Sequence, residues 1–319
     1  MIRRLTRWLL VLQGMTIAGV IWVLLQLAHL QSFALALALG IGLVAGIRLS
    51  ITASGFCLAW RYRSDTPGPY RINWRMTVRL FFTEFSASMI SSSWSMPFFR
   101  VGKQPAAQPV GLPVLLIHGY GCNSAYWRSM SQRLSDANIT HHGIDLEPPL
   151  AGIDSYVPAI ARAIDTLARD SHCDQVILVA HSMGGLISRA YLREHGCDRI
   201  AAVITLGTPH HGTALARGGI GINSQQMCCS ADNTPSAWLQ QLAGSETTQT
   251  RGLFTSIYSH HDNIVSPQYS AHLDGATNLA VAGIGHVALG MNSGIQDRVI
   301  ARIRQVVASR QVRQNRSSA

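Results

Sequence analysis

The chain has 319 residues, of which 47% are hydrophobic, and it carries a formal net charge of +10 at pH 7. This length allows one or two domains. Many of its arginines flank an apolar N-terminus, where they are typical of membrane segments rather than of nucleic-acid surfaces, so we do not expect nucleic acid as a partner. The six cysteines lack metal-ligand spacing, and a disulfide framework is not expected in a chain of this length.

Residues 1–60 are predicted to form a membrane anchor of two transmembrane helices. Trp8–Leu30 carries no formal charge and is long enough to cross a hydrocarbon core of ~30 Å. Phe33–Trp60 is a second apolar stretch, in which Arg48 is either tolerated by snorkelling or pairing or makes the stretch re-entrant. Arginines on both flanks favour a hairpin with both ends in the cytoplasm. The competing interpretations are a signal peptide, a single crossing that places the following domain in the other compartment, and a buried pair of soluble helices.

Residues 61–112 are predicted to be a linker between this anchor and the rest of the chain. Serines and prolines interrupt the segment repeatedly, which disfavours regular structure. Within it, Arg79–Phe85 has the pattern of a short amphipathic piece that lies on a membrane surface.

From residue 113 to about residue 310, short apolar runs alternate with helical periodicity. The predicted strands are 114–117, 139–146, 176–180, 200–206, 253–259 and 278–282, and the predicted helices are 124–134, 154–169, 186–192 and 297–307. Such alternation predicts a mostly parallel sheet with helices on both faces. Residues 214–251 have weak periodicity and are interpreted as a lid-like insertion, and residues 311–319 as a disordered tail.

The motif with the clearest chemical meaning is Ala-His-Ser-Met-Gly-Gly at residues 180–185. It follows an apolar, β-branched strand and precedes a helical pattern, as a nucleophile elbow does. In such a turn the serine takes strained backbone angles, and small residues two positions away let the strand and the helix approach closely. We therefore predict that Ser182 is a nucleophile. The competing interpretation is a serine in an ordinary strand–helix turn.

A nucleophilic serine needs an imidazole to accept its proton and a carboxylate to orient that imidazole. After an elbow of this kind, the acid precedes the histidine along the chain. Asp262 directly follows the predicted strand 253–259 and is the preferred acid. Asp274 and Asp232 are weaker candidates because neither follows a clear strand.

The remaining groups of the predicted site are a base and two N–H donors. His286 follows the strand 278–282 in a glycine-containing loop, and it is preferred as the base over His272, whose setting is that of a surface helix or turn. The developing oxyanion needs two backbone N–H groups, for which we expect Met183, directly after the serine, and Tyr120, in the loop after the strand 114–117.

With these residues in place, the chain resembles the α/β-hydrolases, and among them the bacterial triacylglycerol lipases. The matching stretches are 116–121, 180–185, 206–213 and the loops that carry Asp262 and His286. The resemblance extends from Pro113 to the last helix. It implies an α/β-hydrolase fold and a triad of Ser182, Asp262 and His286, with Tyr120 and Met183 at the oxyanion hole.

The resemblance does not imply a cofactor, and it argues against a metal. Lipases of this group often hold a structural calcium through an aspartate two residues after the catalytic histidine. Alanine stands at that position, Ala288, so we expect no calcium. These lipases are also typically secreted, whereas here the domain follows an apolar hairpin that the resemblance does not cover.

The sequence thus predicts a membrane-anchored serine hydrolase that cleaves carboxylic esters. Lipid-like acyl esters are the favoured substrates, because an anchor would hold the site beside a bilayer. The expected location is a bacterial inner membrane, with the domain on the cytoplasmic side. The alternatives are an acyltransferase or thioesterase with the same triad, and a membrane-bound interaction protein that has the fold without catalysis.

Overall fold

The computed structural model describes residues 1–317, with side chains described as far as Val312. Two long apolar helices begin the chain. Helix α1 spans Ile2–Trp22 and continues through a π turn, Val23–Leu27, and α2 spans Phe33–Arg61. By length and composition, both are able to cross a membrane.

The two helices pack against each other in antiparallel orientation. Gly40 of α2 lies directly against Ile17 of α1, and Arg48 of α2 donates from Nε to Gln13 Oε1 at 3.1 Å. Arg48 Nη1 also donates to Ser92 Oγ at 2.8 Å. Helix α2 therefore continues through this charge without a break, which favours pairing of Arg48 over the re-entrant alternative.

Residues 61–112 form more than the predicted linker. Helix α3 spans Trp74–Met89, and the short helix α4 spans Met96–Phe98. Lys103–Gln104 forms a strand, β1, at the edge of the sheet. The prediction of an irregular linker is wrong for these residues. The Asn73 side chain caps α3, and Pro97 stands in the first turn of α4, where a proline is tolerated because the first N–H groups of a helix have no intrahelical partner.

Helix α3 is amphipathic, as the sequence pattern around Arg79–Phe85 predicts, but the buried face contacts protein. Leu80, Glu84 and Ala87 are buried, whereas Trp74 and Phe82 on the other face are exposed. The helix therefore covers part of the domain and presents apolar side chains outward.

The strands form one seven-stranded sheet in the order β1-β3-β2-β4-β5-β6-β7, in which only β1 is antiparallel to its neighbour. Strands β2 to β7 span Val114–Ile117, His141–Ile144, Val176–His181, Ile200–Leu206, Phe254–Ser259 and Thr277–Val281. The predicted, mostly parallel sheet is confirmed. Strand β3 is shorter than the predicted 139–146, and the two-residue β1 was not predicted.

Helices cover both faces of this sheet. Helices α5 to α11 span Arg128–Asp136, Val157–Asp170, Met183–His195, Ile222–Gln226, Ala237–Gly244, Thr248–Gly252 and Ser293–Ser317. Alternate residues of β2 enter different clusters, because successive side chains of a strand point to opposite faces. Leu115 and Ile117 pack with α6 and α7, whereas Val114 and Leu116 pack with α5 and α11.

The last helix is longer than predicted. Helix α11 begins at Ser293 and reaches Ser317, beyond the predicted helix 297–307 and into the predicted tail 311–319. No glycine or proline follows Gly294 in the sequence, and the arginines and glutamines present there are good helix formers. Residues 318–319 lie outside the described residues.

The insertion predicted at 214–251 connects β5 to β6 and contains α8, α9 and α10. A buried ion pair joins it to α7. Arg189 and Glu246 have side chains that are 0% and 2% exposed, and Arg189 Nη2 donates to Glu246 Oε2 at 2.9 Å. Arg189 Nη1 also donates to the His210 carbonyl oxygen at 2.7 Å.

The buried pair gives a stability prediction. Glu246→Gln leaves the Arg189 charge buried without its counter-ion, and we expect it to lower the free energy of unfolding by about 3–5 kcal/mol. Urea unfolding followed by circular dichroism measures the change. The exposed control Glu194→Gln should stay within about 0.5 kcal/mol of wild type. Equal effects of the two substitutions would contradict the structural role of the pair.

Candidate active site

The turn between β4 and α7 has the geometry of a nucleophile elbow. Ser182 has a positive φ of 54° with ψ −126°, a conformation that is strained for a residue with a side chain. A methyl group on Gly184 would lie 2.5 Å from the Ile117 carbonyl oxygen, and one on Gly185 would lie 2.1 Å from Thr208 Oγ1. Both glycines are therefore needed for the close approach of α7 to the neighbouring strands.

A buried acid–imidazole pair lies beside this turn, at the carboxyl ends of β6 and β7. His286 Nδ1 and Asp262 Oδ2 are 2.8 Å apart, and the two side chains are 4% and 2% exposed. Asp262 Oδ1 accepts hydrogen bonds from the N–H groups of Ile264 and Val265, both at 2.8 Å. The carboxylate is thus satisfied by three donors, which fixes its orientation.

The backbone of His286 is held as firmly as its ring. The His286 N–H donates to Asn263 Oδ1 at 2.9 Å, and the His286 carbonyl oxygen accepts from His181 Nε2 at 3.0 Å. The His181 ring stacks on Tyr126, with centroids 4.4 Å apart, and lies 4.6 Å from the His286 ring. Burial lowers the pKa of His181 well below its usual range, so this ring is neutral and donates from one nitrogen.

Opposing effects act on the pKa of His286. Complete burial lowers it, but the charge and hydrogen bond of Asp262, together with the charge of Glu84, outweigh burial. The net result is a pKa above the ordinary value for histidine. The ring therefore accepts a proton more readily than a histidine in water.

The loop after β2 approaches the elbow closely. A methyl group on Gly119 would lie 2.8 Å from Ser182 Cβ. The N–H groups of Tyr120 and Met183 have no hydrogen-bond partner within the described part of the chain. These two predicted oxyanion donors therefore flank Ser182 with their hydrogen-bonding capacity free.

Ser182 and His286 line a single cavity of about 220 Å³. Its walls are largely apolar and come from the loops after β2, β5, β6 and β7 and from the insertion: Tyr120, Pro209, Leu215, Ala216, Met227, Ile264, Val265 and Val287. The insertion is held over the cavity by the Tyr120 hydroxyl, which donates to the Ile220 carbonyl oxygen at 2.7 Å.

The weaker sequence candidates lie elsewhere. Asp274 is largely exposed and contacts His272 at 3.4 Å. Asp232 is exposed and accepts hydrogen bonds from Ser230 and Thr234, which hold its pKa at about 2. Among the described residues, no group of three or more His, Cys, Asp or Glu side chains could hold a metal ion.

Sequence reasoning missed two side chains beside His286. Asn263 accepts the His286 N–H, and Glu84 accepts the N–H groups of Val287 and Ala288, each at 2.9 Å. Glu84 is the only acidic residue between Asp65 and Asp136. A single carboxylate on the apolar side of an amphipathic helix is a signal that could have drawn attention to it.

A comparison with known proteins agrees with this fold. A family model described as alpha/beta hydrolase fold matches residues 113–227. The chain is similar to the crystal structure of the mature form of Bacillus licheniformis lipase BlEst2, with a TM-score of 0.53 and 19% identity over 63% of this chain and 95% of that chain. The chain therefore has the α/β-hydrolase fold. The fold predicted from the resemblance is confirmed.

Two further relatives show how far this α/β-hydrolase likeness extends. The propeptide form of BlEst2 has a TM-score of 0.51 and 20% identity, over 60% of this chain and 50% of that chain. The non-heme chloroperoxidase CPO-A1 of Kitasatospora aureofaciens is 33% identical over 103 residues, which are 30% of this chain and 36% of the relative. The matched part thus spans about a third of that relative. Because a lipase and a peroxidase both appear, the fold alone does not specify the reaction.

The elbow geometry gives a prediction that is independent of any substrate. Gly184→Ala places a methyl group against the Ile117 carbonyl oxygen, which belongs to the backbone of the inner strand β2 and has little room to move. We expect a loss of about 1–3 kcal/mol in the free energy of unfolding, the usual cost of overpacking. The control Gly244→Ala has no atom within 4 Å of the added methyl group and should not be destabilised. A wild-type stability for Gly184→Ala would contradict the close approach.

Proposed function

We propose that this α/β-hydrolase is a membrane-anchored serine hydrolase that cleaves carboxylic esters with lipid-like acyl groups. The observation that carries the proposal is the buried 2.8 Å contact between His286 and Asp262, at a cavity that Ser182 also lines. This combination of groups is what acyl transfer through a serine requires.

In the proposed reaction, Ser182 attacks the ester carbonyl carbon while His286 accepts the serine proton. Asp262 orients the ring and stabilises its charged form. The Tyr120 and Met183 N–H groups bind the oxyanion. His286 then gives the proton to the departing alcohol, and water, activated by the same imidazole, releases the acid and restores the serine.

The lining of the cavity supports an acyl substrate. Leu215, Met227 and Val265 line the cavity beside Ser182, and their apolar side chains suit an acyl chain better than a polar group. The chain is also similar in structure to the lipase BlEst2, but at 19% identity this similarity supports only the fold.

Membrane anchoring by residues 1–60 is supported by the two apolar helices and by the surface beside them. Large apolar side chains near α3 and α4 are exposed, among them Trp74, Phe82, Trp94 and Phe98. Aromatic side chains of this kind are typical of a membrane–water interface. With arginines on both flanks of the hairpin, we place the hydrolase domain on the cytoplasmic side of a bacterial inner membrane.

A fluorophosphonate probe tests the proposed chemistry. We expect labelling of wild type and of the exposed-serine control Ser230→Ala, no labelling of Ser182→Ala, and hydrolysis slower on the order of 10⁴-fold in Asp262→Asn. With p-nitrophenyl esters of graded length, long acyl chains should be preferred. Absence of labelling in wild type would contradict catalysis, and activity on acetate or butyrate alone would contradict a lipid-like substrate.

Alkaline carbonate extraction tests the anchor in the full-length protein. An integral hairpin should remain with the membrane pellet, with its N-terminal residues intact. A tag at the C-terminus should become accessible to protease only after the inner membrane is opened. Release into the soluble fraction would contradict anchoring, removal of the first ~30 residues would indicate a signal peptide instead, and an accessible tag in spheroplasts would reverse the proposed side.

A further inference from the structure

The carboxylate of Glu84 lies buried directly behind the loop that carries His286. Glu84 belongs to α3 and is 1% exposed. Its Oε1 accepts the Val287 N–H and its Oε2 accepts the Ala288 N–H, each at 2.9 Å. These are the first two N–H groups of the 3₁₀ turn Val287–Gly290, for which His286 is the cap residue. One side chain from a distant helix thus caps the turn that begins at His286.

The loop on the other side of His286 is shaped around the same carboxylate. A methyl group on Gly285 would lie 2.5 Å from Glu84 Oε2. The backbone therefore passes so close to Glu84 that a side chain at position 285 would displace it. Residues 285 to 288 are in contact with one carboxylate from both sides of the imidazole.

The other restraints on His286 come from different directions. Asp262 holds Nδ1 of the ring, Asn263 holds the backbone N–H, and His181 holds the carbonyl oxygen. None of these three contacts restrains the residues after His286. There the Tyr126 hydroxyl donates to the Val287 carbonyl oxygen and accepts the Gly290 N–H, each at 3.1 Å. Glu84 binds the two N–H groups that directly follow His286.

We propose that Glu84 is a positioning residue for His286, so that helix α3 belongs to the catalytic unit of the enzyme although it precedes the hydrolase domain in the sequence. The inference rests on the proposed role of His286 as the base. The segment between the anchor and the domain would then contribute to catalysis and would not only connect the two.

The charge of Glu84 also acts on the ring. The ionisable groups that face His286 are Asp262, Glu84 and the neutral His181, and the Tyr126 hydroxyl binds the same turn through the Gly290 N–H. Burial raises the pKa of Glu84 above its ordinary value, even though the two N–H donors and His286 act in the opposite direction. An ionised Glu84 raises the pKa of His286. Removing this charge should therefore lower the pKa of the imidazole.

The test compares Glu84→Gln, Glu84→Asp and the control Glu194→Gln in the full-length protein, with a p-nitrophenyl ester as substrate. In Glu84→Gln the side-chain NH₂ group faces one of the two backbone N–H groups that the carboxylate accepted, so that hydrogen bond is lost. The negative charge is lost as well. We expect kcat to fall about 10- to 100-fold, the scale of a displaced catalytic group, with KM within about threefold of wild type. The acid limb of the kcat/KM profile should move to lower pH.

The conservative variant separates position from charge. Glu84→Asp keeps the charge on a shorter side chain, so kcat should fall while the acid limb stays near its wild-type pH. In Gly285→Ala the added methyl group would displace the Glu84 carboxylate while every charge is retained, so we expect kcat to fall as it does in Glu84→Asp. The control Glu194→Gln should leave kcat, KM and the acid limb unchanged.

A histidine NMR titration gives a readout that does not depend on turnover. The His286 resonance, assigned by its loss in His286→Gln, should titrate at lower pH in Glu84→Gln than in wild type. An active wild type whose kcat and His286 titration are unchanged in Glu84→Gln would overturn the inference alone. A wild type that neither hydrolyses esters nor reacts with the fluorophosphonate would instead overturn the proposed function. Should Glu84→Gln fail to fold, wild-type kcat in both Glu84→Asp and Gly285→Ala would overturn the inference.

Discussion

The hydrogen bond between Asp262 and His286 is the interaction on which the rest of the candidate site depends. A carboxylate this deeply buried is costly unless donors surround it, and here two backbone N–H groups and the imidazole do so. The imidazole is fixed in turn through its own N–H and carbonyl groups, by Asn263 and His181. Because each member of this network satisfies the next, the ring has one orientation, at the cavity that Ser182 also lines.

The same network extends into the N-terminal part of the chain. Ser266 Oγ donates to the Ala59 carbonyl oxygen at the end of α2, at 2.8 Å. Gln268 accepts the Ser64 N–H at 3.1 Å and donates to the Asp262 carbonyl oxygen at 2.9 Å. The loop that carries Asp262 is therefore hydrogen-bonded to the end of the apolar hairpin and the residues after it. The loop that carries His286 is hydrogen-bonded to α3 in the same way. The hairpin and the α/β-hydrolase domain form a continuous structure, which explains why so few of the residues between them are irregular.

The elements that could be predicted from the sequence are those whose pattern is local. Strands β2, β4 and β5 are mainly apolar runs, and the elbow at residues 180–185 is recognisable from small residues between a strand and a helix. Strand β1 was missed, and helix α3 was predicted only as the short piece Arg79–Phe85, for different reasons. The first is only two residues long and exists through its pairing with β3, and the second lies among prolines and serines that marked the whole segment as irregular.

The sequence by itself determined the fold class and two helices apolar enough for a membrane, and it singled out the candidate serine, acid and histidine, because periodicity, small residues and uncharged runs act over a few neighbouring positions. Only the tertiary structure decided that Glu84 lies against residues more than two hundred positions further along the chain, and that Asn263 and His181 hold the backbone of His286. Such contacts arise where separate elements pack together, and a buried carboxylate finds its donors there irrespective of their distance in the sequence.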